Sequence, residues 1–200
     1  MTKKAVDVVL LPEEAMTDRV IRLNRQLVEK FGSEIVLGKT DCLPHISLAM
    51  GCADEKDITA MGQILKTIAR ENPLGDLRVP GIVTTTNSVG ESVTAFEVER
   101  TKQLQMLHEN VMTGLSQYLT YDVTKDMICS DAEVAESTLL WIKNYPEKSS
   151  FANFTPHITL GYGQINQAVF PIKFAASQLA LCHLGNHCTC RQILVSVRLS

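Results

Sequence analysis

Two short stretches of the chain carry the same chemically useful residues at the same spacing. Residues 44–48 read Pro-His-Ile-Ser-Leu, and residues 156–160 read Pro-His-Ile-Thr-Leu. In an extended strand alternate side chains share a face, so each histidine lies beside a hydroxyl residue about 6–7 Å away. The isoleucine and leucine then point to the opposite face. The pattern predicts two strands that bury one face and line a cleft with the other.

The residue types in the two motifs suit acid–base chemistry on a phosphate. Neutral imidazole accepts a proton near neutral pH, and imidazolium donates one. We therefore take His45 and His157 as candidate catalytic residues, one as general base and one as general acid, each worth about 10²–10⁴-fold in rate. Ser47 and Thr159 are candidate phosphate-binding residues, since their hydroxyls can donate to oxygens on which charge grows. This arrangement requires neither a metal nor another cofactor.

An old duplication kept only for packing is the alternative explanation of the repeat. It accounts for the isoleucine and leucine positions, which recur on the buried face. It does not account for a histidine and a hydroxyl residue on the outward face of both copies. The functional interpretation is therefore preferred.

The paired His-x-(Ser/Thr) motifs, about half a chain apart and each preceded by proline, resemble the signature of the two-histidine phosphoesterases. That family includes the 2′-5′ RNA ligase-like proteins and cyclic nucleotide phosphodiesterases. The resemblance implies hydrolysis of a 2′,3′-cyclic phosphate to a 2′-phosphate, or cleavage or joining of a 2′-5′ phosphodiester in RNA. It also implies two similar lobes about a pseudo-twofold axis, with one motif from each lobe facing a central cleft.

Hydrophobic periodicity predicts an α+β fold, with helices packed on the outer faces of antiparallel sheets. Strands are expected at 5–11, around the two motifs, and at 78–87, 92–99, 173–184 and 190–199; helices are expected at 16–31, 54–70, 101–115 and 131–145. Asp131 is predicted to cap the fourth helix and Pro146 to end it. A hairpin turn is expected at 89–91 and a mobile polar loop at 147–153. Without a linker, residues 1–200 are expected to form a single domain.

Two aromatic residues flank the second motif. Phe154 and Tyr162 could stack on a base of the substrate. Tyr162 shares its predicted face with core residues, so packing is the favoured interpretation for it. The three other histidines have no motif around them and are left out of catalysis. They are His108, His183 and His187.

The cysteines are expected to be reduced thiols, because the chain lacks a signal-peptide core and is expected in the cytoplasm. Three of them cluster near the end of the chain, at Cys182, Cys188 and Cys190, with two histidines between them. The spacing is not Cys-x₂-Cys, and the segment also reads as a hairpin of two strands. A hairpin with incidental thiols is the main interpretation, and a zinc site is the alternative.

Charge and hydropathy limit the kinds of partner that the protein is expected to have. The net charge is −3, and no basic run exceeds Lys3-Lys4, whereas proteins that grip long nucleic acids concentrate Lys and Arg. We therefore expect an RNA terminus, a short oligonucleotide or a small nucleotide as substrate, and a monomer. No apolar run approaches the about 20 residues of a membrane span. The rival functions are a nucleotide- or RNA-end-binding module with little turnover, and a zinc-dependent hydrolase built on the cysteine cluster.

Overall fold

The computed structural model describes residues 2–32, 34–87, 90–165 and 171–199. Within these ranges the strands are β1 (Lys3–Pro12), β2 (Ile46–Asp54), β3 (Leu77–Val79), β4 (Gly81–Thr86), β5 (Ser92–Glu97), β6 (His157–Tyr162), β7 (Ile172–Phe174), β8 (Ala176–Leu184) and β9 (Cys190–Arg198). The α-helices are α1 (Glu14–Phe31), α2 (Ile58–Glu71), α3 (Lys102–Leu115) and α4 (Glu136–Lys148). Single turns of 3-10 helix lie at Glu55–Asp57, Lys125–Met127, Phe151–Asn153 and Asn186–Cys188. The predicted α+β architecture of antiparallel sheets and helices is confirmed.

The two motif strands are edge strands of different sheets. One sheet has the order β2-β1-β8-β9, another has the order β4-β5-β6, and β3 pairs with β7. All of these pairings are antiparallel. The edge strands β2 and β6 contact each other. This contact brings the two His-x-(Ser/Thr) motifs together although they lie far apart in sequence.

Burial follows the apolar pattern of each element. β1 begins with two lysines and is apolar beyond them except at Asp7. It is buried at every position after the first two, as expected for a central strand covered on both faces. α1 packs against β6, while α3 packs against β2 and α2. β2 also contacts α4, so helices lie behind both motif strands and support the site from there.

The start of α4 differs from the prediction. Asp131 does not cap it; the helix begins at Glu136, with Ala135 at the N-cap position. The Ala135 amide and the Thr138 hydroxyl both donate to Asn186 Oδ1, each at 3.0 Å. The Asn186 side chain, from the connection between β8 and β9, thus takes the place of a local N-cap residue. No signal in the sequence near the start of α4 could indicate this.

The end of α4 also differs from the prediction, because the helix passes through Pro146 to Lys148. A proline costs most in a helix interior, where the missing amide and the ring clash disturb a continuing helix. Here only two residues follow it. The Ser149 amide donates to the Tyr145 carbonyl, and the Ser150 hydroxyl donates to the Pro146 carbonyl. These bonds close the helix just after the proline.

The predicted strand at 78–87 is divided. Pro80 separates β3 from β4, so the chain leaves one sheet and enters another. β4 and β5 pair as the predicted hairpin. The turn predicted at 89–91 lies partly outside the described residues. Segment 147–153, predicted to be a mobile loop, holds the end of α4 and a 3-10 turn, and hydrogen bonds from α3 and from Arg100 reach its carbonyls.

The prediction that all cysteines are free is wrong for two of them. Cys182 and Cys190 form a disulfide, with Cα atoms 5.7 Å apart. They lie on the paired strands β8 and β9, whose register has irregularities on both sides of His183. The sequence does not reveal that register.

No helix in the described part of the chain is long and apolar enough to cross a membrane.

Candidate active site

Each motif histidine is held by the backbone of its own motif. His45 Nδ1 lies 2.7 Å from the Leu43 carbonyl oxygen, and His157 Nδ1 lies 2.8 Å from the Thr155 carbonyl oxygen. Since a carbonyl only accepts, each bond assigns the imidazole hydrogen to Nδ1. Nε2 of each ring is then left with a lone pair. Both histidines therefore present the same basic nitrogen, and both are held through the carbonyl two residues earlier.

The two imidazoles also influence each other electrostatically. The side chain of His45 is only 13% exposed. Burial, together with the charge of His157, lowers the pKa of His45 to about 4, against the opposing bond to Leu43. His45 is therefore neutral at physiological pH. The site thus joins both predicted catalytic residues in one electrostatic environment.

Both motif strands contain a β-bulge at the same place. The register of β1 with β2 skips Leu48, and the register of β5 with β6 skips Leu160. Each bulged leucine follows the hydroxyl residue of its motif. A bulge bends its strand and leaves one residue outside the regular ladder. The repeat in the sequence is therefore a repeat of backbone geometry as well as of residue types.

The carbonyls of the two bulged leucines are paired with buried side chains from the supporting helices. His108 Nδ1 of α3 donates to the Leu48 carbonyl at 2.7 Å, and Asn24 Nδ2 of α1 donates to the Leu160 carbonyl at 2.8 Å. Both side chains belong to fully buried residues. A buried carbonyl left without a partner is costly. These two bonds therefore fix the bulges beside the two motif histidines.

His108 also joins the two motifs. Its Nε2 accepts a hydrogen bond from the Phe151 amide at 2.7 Å, and its ring stacks on Phe154 with centroids 4.0 Å apart. Phe151 and Phe154 belong to the segment that enters β6. Burial lowers the pKa of His108, which suits a ring whose two nitrogens are already used as donor and acceptor. We regard His108 as a positioning residue, a role that its sequence surroundings did not indicate.

Asn24 performs the corresponding task for the second motif. Besides the bond to β6, its Nδ2 donates to the Ile35 carbonyl, and its Oδ1 accepts from the Leu37 amide. One buried amide thus connects α1, β6 and the segment that follows α1. An asparagine inside the apolar face of α1 is the signal that could have revealed it.

Asp7 is a third residue near the motifs whose role the sequence did not indicate. It lies on β1, is fully buried, and its Oδ2 is 2.6 Å from Ser47 Oγ and 3.9 Å from His45 Nε2. Its Oδ1 has no hydrogen-bond partner among the described residues. Burial raises the pKa of Asp7 well above its usual value, and interactions with the Ser47 hydroxyl and the Ala49 backbone oppose this. A single charged residue in the apolar run 5–11 was the available signal.

The two aromatic residues that flank the second motif lie in different environments. Phe154 is 2% exposed and one face of its ring is covered by His108, so it belongs to the core and does not offer a stacking surface for a base. Tyr162 is half-buried, and its hydroxyl lies 2.9 Å from His187 Nδ1. Thr159 is half-buried on β6 beside His157. His183 lies on β8, outside both motif strands, and its Nε2 is 3.0 Å from the Met127 carbonyl oxygen.

The cysteine cluster does not form a metal centre in the described ranges. No group of three or more His, Cys, Asp or Glu side chains there is arranged to hold a metal ion. Cys182 and Cys190 bind each other, so their sulfurs are not available as thiolate ligands.

The fold is similar to that of solved proteins. TT0787 of Thermus thermophilus aligns with a TM-score of 0.58 at 16% identity, covering 98% of this chain and 97% of its own. Apo LigT of E. coli aligns with a TM-score of 0.50 at 9% identity, covering 100% and 99%. None of the curated proteins matches the sequence. The family model of the 2′-5′ RNA ligase superfamily matches residues 38–194, which include both motifs. The chain therefore belongs to this superfamily of two-histidine phosphoesterases.

Proposed function

We propose that the protein is a phosphodiesterase that hydrolyses 2′,3′-cyclic phosphates, on RNA ends or small nucleotides, to 2′-phosphates. One observation carries the proposal. Two histidines at edge strands that contact each other each have Nδ1 bonded to their own backbone and Nε2 left to exchange a proton. Membership of the superfamily supports a phosphoesterase- or ligase-type activity.

The unequal surroundings of the two histidines favour one division of roles. His45 is the general base, because burial keeps its imidazole neutral. Its Nε2 takes a proton from a water molecule whose oxygen attacks phosphorus. His157 is the general acid, since its hydrogen bond to Thr155 lies at a more exposed position, where water can solvate an imidazolium. It gives its Nε2 proton to the 3′ oxygen as the P–O3′ bond breaks, leaving a 2′-phosphate.

The hydroxyls of Ser47 and Thr159 bind the non-bridging phosphoryl oxygens in this proposal. Each lies two residues after its catalytic histidine on a half-buried strand position. Charge on those oxygens rises in the transition state, so a fixed donor stabilises the transition state more than the substrate. The two imidazoles supply both proton transfers, so the reaction needs no metal or other cofactor.

The substrate class follows from charge and from the family. A chain of net charge −3 has little general attraction for long nucleic acid. We therefore assign a terminus or a short nucleotide, acted on by a single domain whose two lobes contribute one motif each. Cleavage of a 2′-5′ phosphodiester would use the same two proton transfers, and joining would use them in reverse.

The test is product analysis with purified protein. 2′,3′-cyclic mononucleotides and 2′-5′-linked oligonucleotides are incubated with the protein, with and without a strong chelator. We expect the 2′-phosphate as product, at a rate that the chelator does not change. The His183→Ala variant is the matched control, because this histidine lies on β8, outside both motif strands. Nucleotide binding without any product would favour the binding-module alternative.

A further inference from the structure

The two halves of the site differ at one position. Asp7 pairs with Met50 across the β1–β2 ladder, and Val93 pairs with Tyr162 across the β5–β6 ladder. Met50 and Tyr162 each lie five residues after their motif histidine. Asp7 and Val93 therefore occupy equivalent places in the two lobes. The first lobe has a buried carboxyl group where the second has an aliphatic side chain.

The carboxyl group limits what the Ser47 hydroxyl can do. A hydroxyl has a single hydrogen and two lone pairs. The contact between Ser47 Oγ and Asp7 Oδ2 is 2.6 Å long, so one hydrogen lies between the two oxygens. If Asp7 is ionised, that hydrogen must come from Ser47, which then offers only lone pairs to a phosphate. If Asp7 is protonated, the hydrogen comes from Asp7, and Ser47 keeps its own for the substrate.

We propose that Asp7 works as a protonated positioning residue, which donates to Ser47 so that Ser47 can donate to a phosphoryl oxygen. The inference rests on the phosphoesterase function proposed above. It assigns a hydrogen-bond relay of carboxyl, hydroxyl and phosphate to the first lobe. Because Val93 stands at the equivalent place, the second lobe has no such relay at this position.

The surroundings of Asp7 favour the neutral form. The residue is fully buried, and burial outweighs the interactions with the Ser47 hydroxyl and the Ala49 backbone, which would favour a carboxylate. Its Oδ1 has no hydrogen-bond partner among the described residues. The groups that face it are His45 on the entry to β2, Tyr145 on α4 and Cys188 on the β8–β9 connection.

None of these three neighbours carries a positive charge near neutral pH. Burial lowers the pKa of His45 to about 4. Burial first, and then the charge that an ionised Asp7 would carry, raise the pKa of Tyr145 and of the Cys188 thiol. An anionic phosphate in the cleft adds a like charge, which disfavours ionisation of Asp7 further.

The proposal distinguishes three substitutions. Asp7→Asn keeps the shape and supplies an N–H donor to Ser47, so the relay survives in a form that does not titrate. Asp7→Ala removes the donor, and Ser47→Ala removes the group that meets the phosphate. Val93→Ala, at the equivalent place in the second lobe, is the matched control and leaves the relay intact.

The first measurement is the affinity for adenosine 2′-monophosphate, followed by calorimetry as a function of pH. We expect Asp7→Asn to bind within about threefold of the wild type at neutral pH, and Ser47→Ala to bind about tenfold or more weakly, as for a lost bond to a charged group. Asp7→Ala should lose affinity as well. Wild-type affinity should fall once the pH is high enough to ionise Asp7, and Asp7→Asn should not show that fall. Equal losses in Asp7→Asn and Asp7→Ala would overturn the proposal.

The second measurement needs neither ligand nor turnover. The infrared difference spectrum between wild type and Asp7→Asn reports the form of the carboxyl group at neutral pH. A protonated-carboxyl band that Asp7→Asn abolishes supports the relay, and a carboxylate band overturns it. A wild type that binds the nucleotide without hydrolysing any cyclic phosphate would refute the proposed function, while the two measurements on Asp7 would still decide the relay.

Discussion

The Nδ1 of His108 donates a 2.7 Å hydrogen bond to the carbonyl oxygen of Leu48, the bulged residue that follows the first His-x-Ser motif. The same ring accepts from the Phe151 amide in the segment that enters the second motif strand. One buried imidazole therefore holds the first motif against the approach to the second. Because both nitrogens are used, the ring must stay neutral to do so.

Removal of this ring should destabilise the fold and slow the reaction. We expect His108→Ala to lower the free energy of unfolding by about 2–4 kcal/mol, because it leaves the Leu48 carbonyl and the Phe151 amide unpaired and opens a cavity. Urea unfolding measures the loss. Asn24→Ala, which frees the Leu160 carbonyl, is the parallel variant and should cost a similar amount. Wild-type stability in His108→Ala would contradict the role assigned to the ring.

Protonation of His108 should make the protein less stable in acid. Burial lowers the pKa of His108 below its usual 6.5, so the folded state binds the proton less readily than the unfolded chain. The stabilising contribution is therefore complete above about pH 6.5 and is lost as the pH falls below it. His108→Gln does not titrate, and its stability should decline less between pH 6.5 and the onset of acid unfolding. Parallel pH profiles for the two proteins would refute this linkage.

Gly161 should not tolerate a side chain, although its counterpart in the first motif has one. Its φ is +140°, and an added Cβ would lie 3.1 Å from Asn24 Nδ2. We expect Gly161→Ala to cost about 1–3 kcal/mol in the free energy of unfolding, from backbone strain and from displacement of the Asn24 amide. The matched control is Ala49→Gly at the equivalent position of the first motif, which should cost about 0.5–1 kcal/mol. A neutral Gly161→Ala substitution would show that the bulge is not constrained in this way.

The acid limb of the rate profile should lie well below neutrality. The profile of kcat/KM against pH reports the free enzyme, and the pKa of His45 is lowered to about 4. With His45 as the general base, activity should therefore be retained down to about pH 4 and lost below it, provided that the rate is read before unfolding. Two histidines with ordinary pKa values would instead give both limbs of the profile near neutrality. A limb at about 6.5 would assign the base to a less buried group.

Period-two patterning was sufficient to predict which residues of each motif face outward. Ile46 and Ile158 are buried, and the histidines and hydroxyl residues beside them are half-buried, as alternation on a strand requires. The helices α1, α2 and α3 also follow from their apolar stripes. These features depend on local geometry, which a single sequence expresses directly.

Features that depend on pairing between distant segments could not be predicted. The bulge at Leu48 depends on the register with β1, and the cap of α4 is supplied by Asn186 from another part of the chain. The disulfide between Cys182 and Cys190 depends on the register of β8 and β9. Asp7 is visible in the sequence as a charge in an apolar strand, but its contact with Ser47 appears only once β1 lies beside β2.

The central claim is that His45 and His157 act as one acid–base pair. The measurement that tests it most directly is the turnover of a 2′,3′-cyclic nucleotide by His45→Ala, His157→Ala and the double variant, with binding of adenosine 2′-monophosphate as the check on folding. We predict that each single variant loses at least about 10²-fold in kcat and that the double variant loses little more than the worse single one, because the two groups act as a unit. Near-normal turnover by His157→Ala would contradict the claim and leave the second motif with a packing role alone.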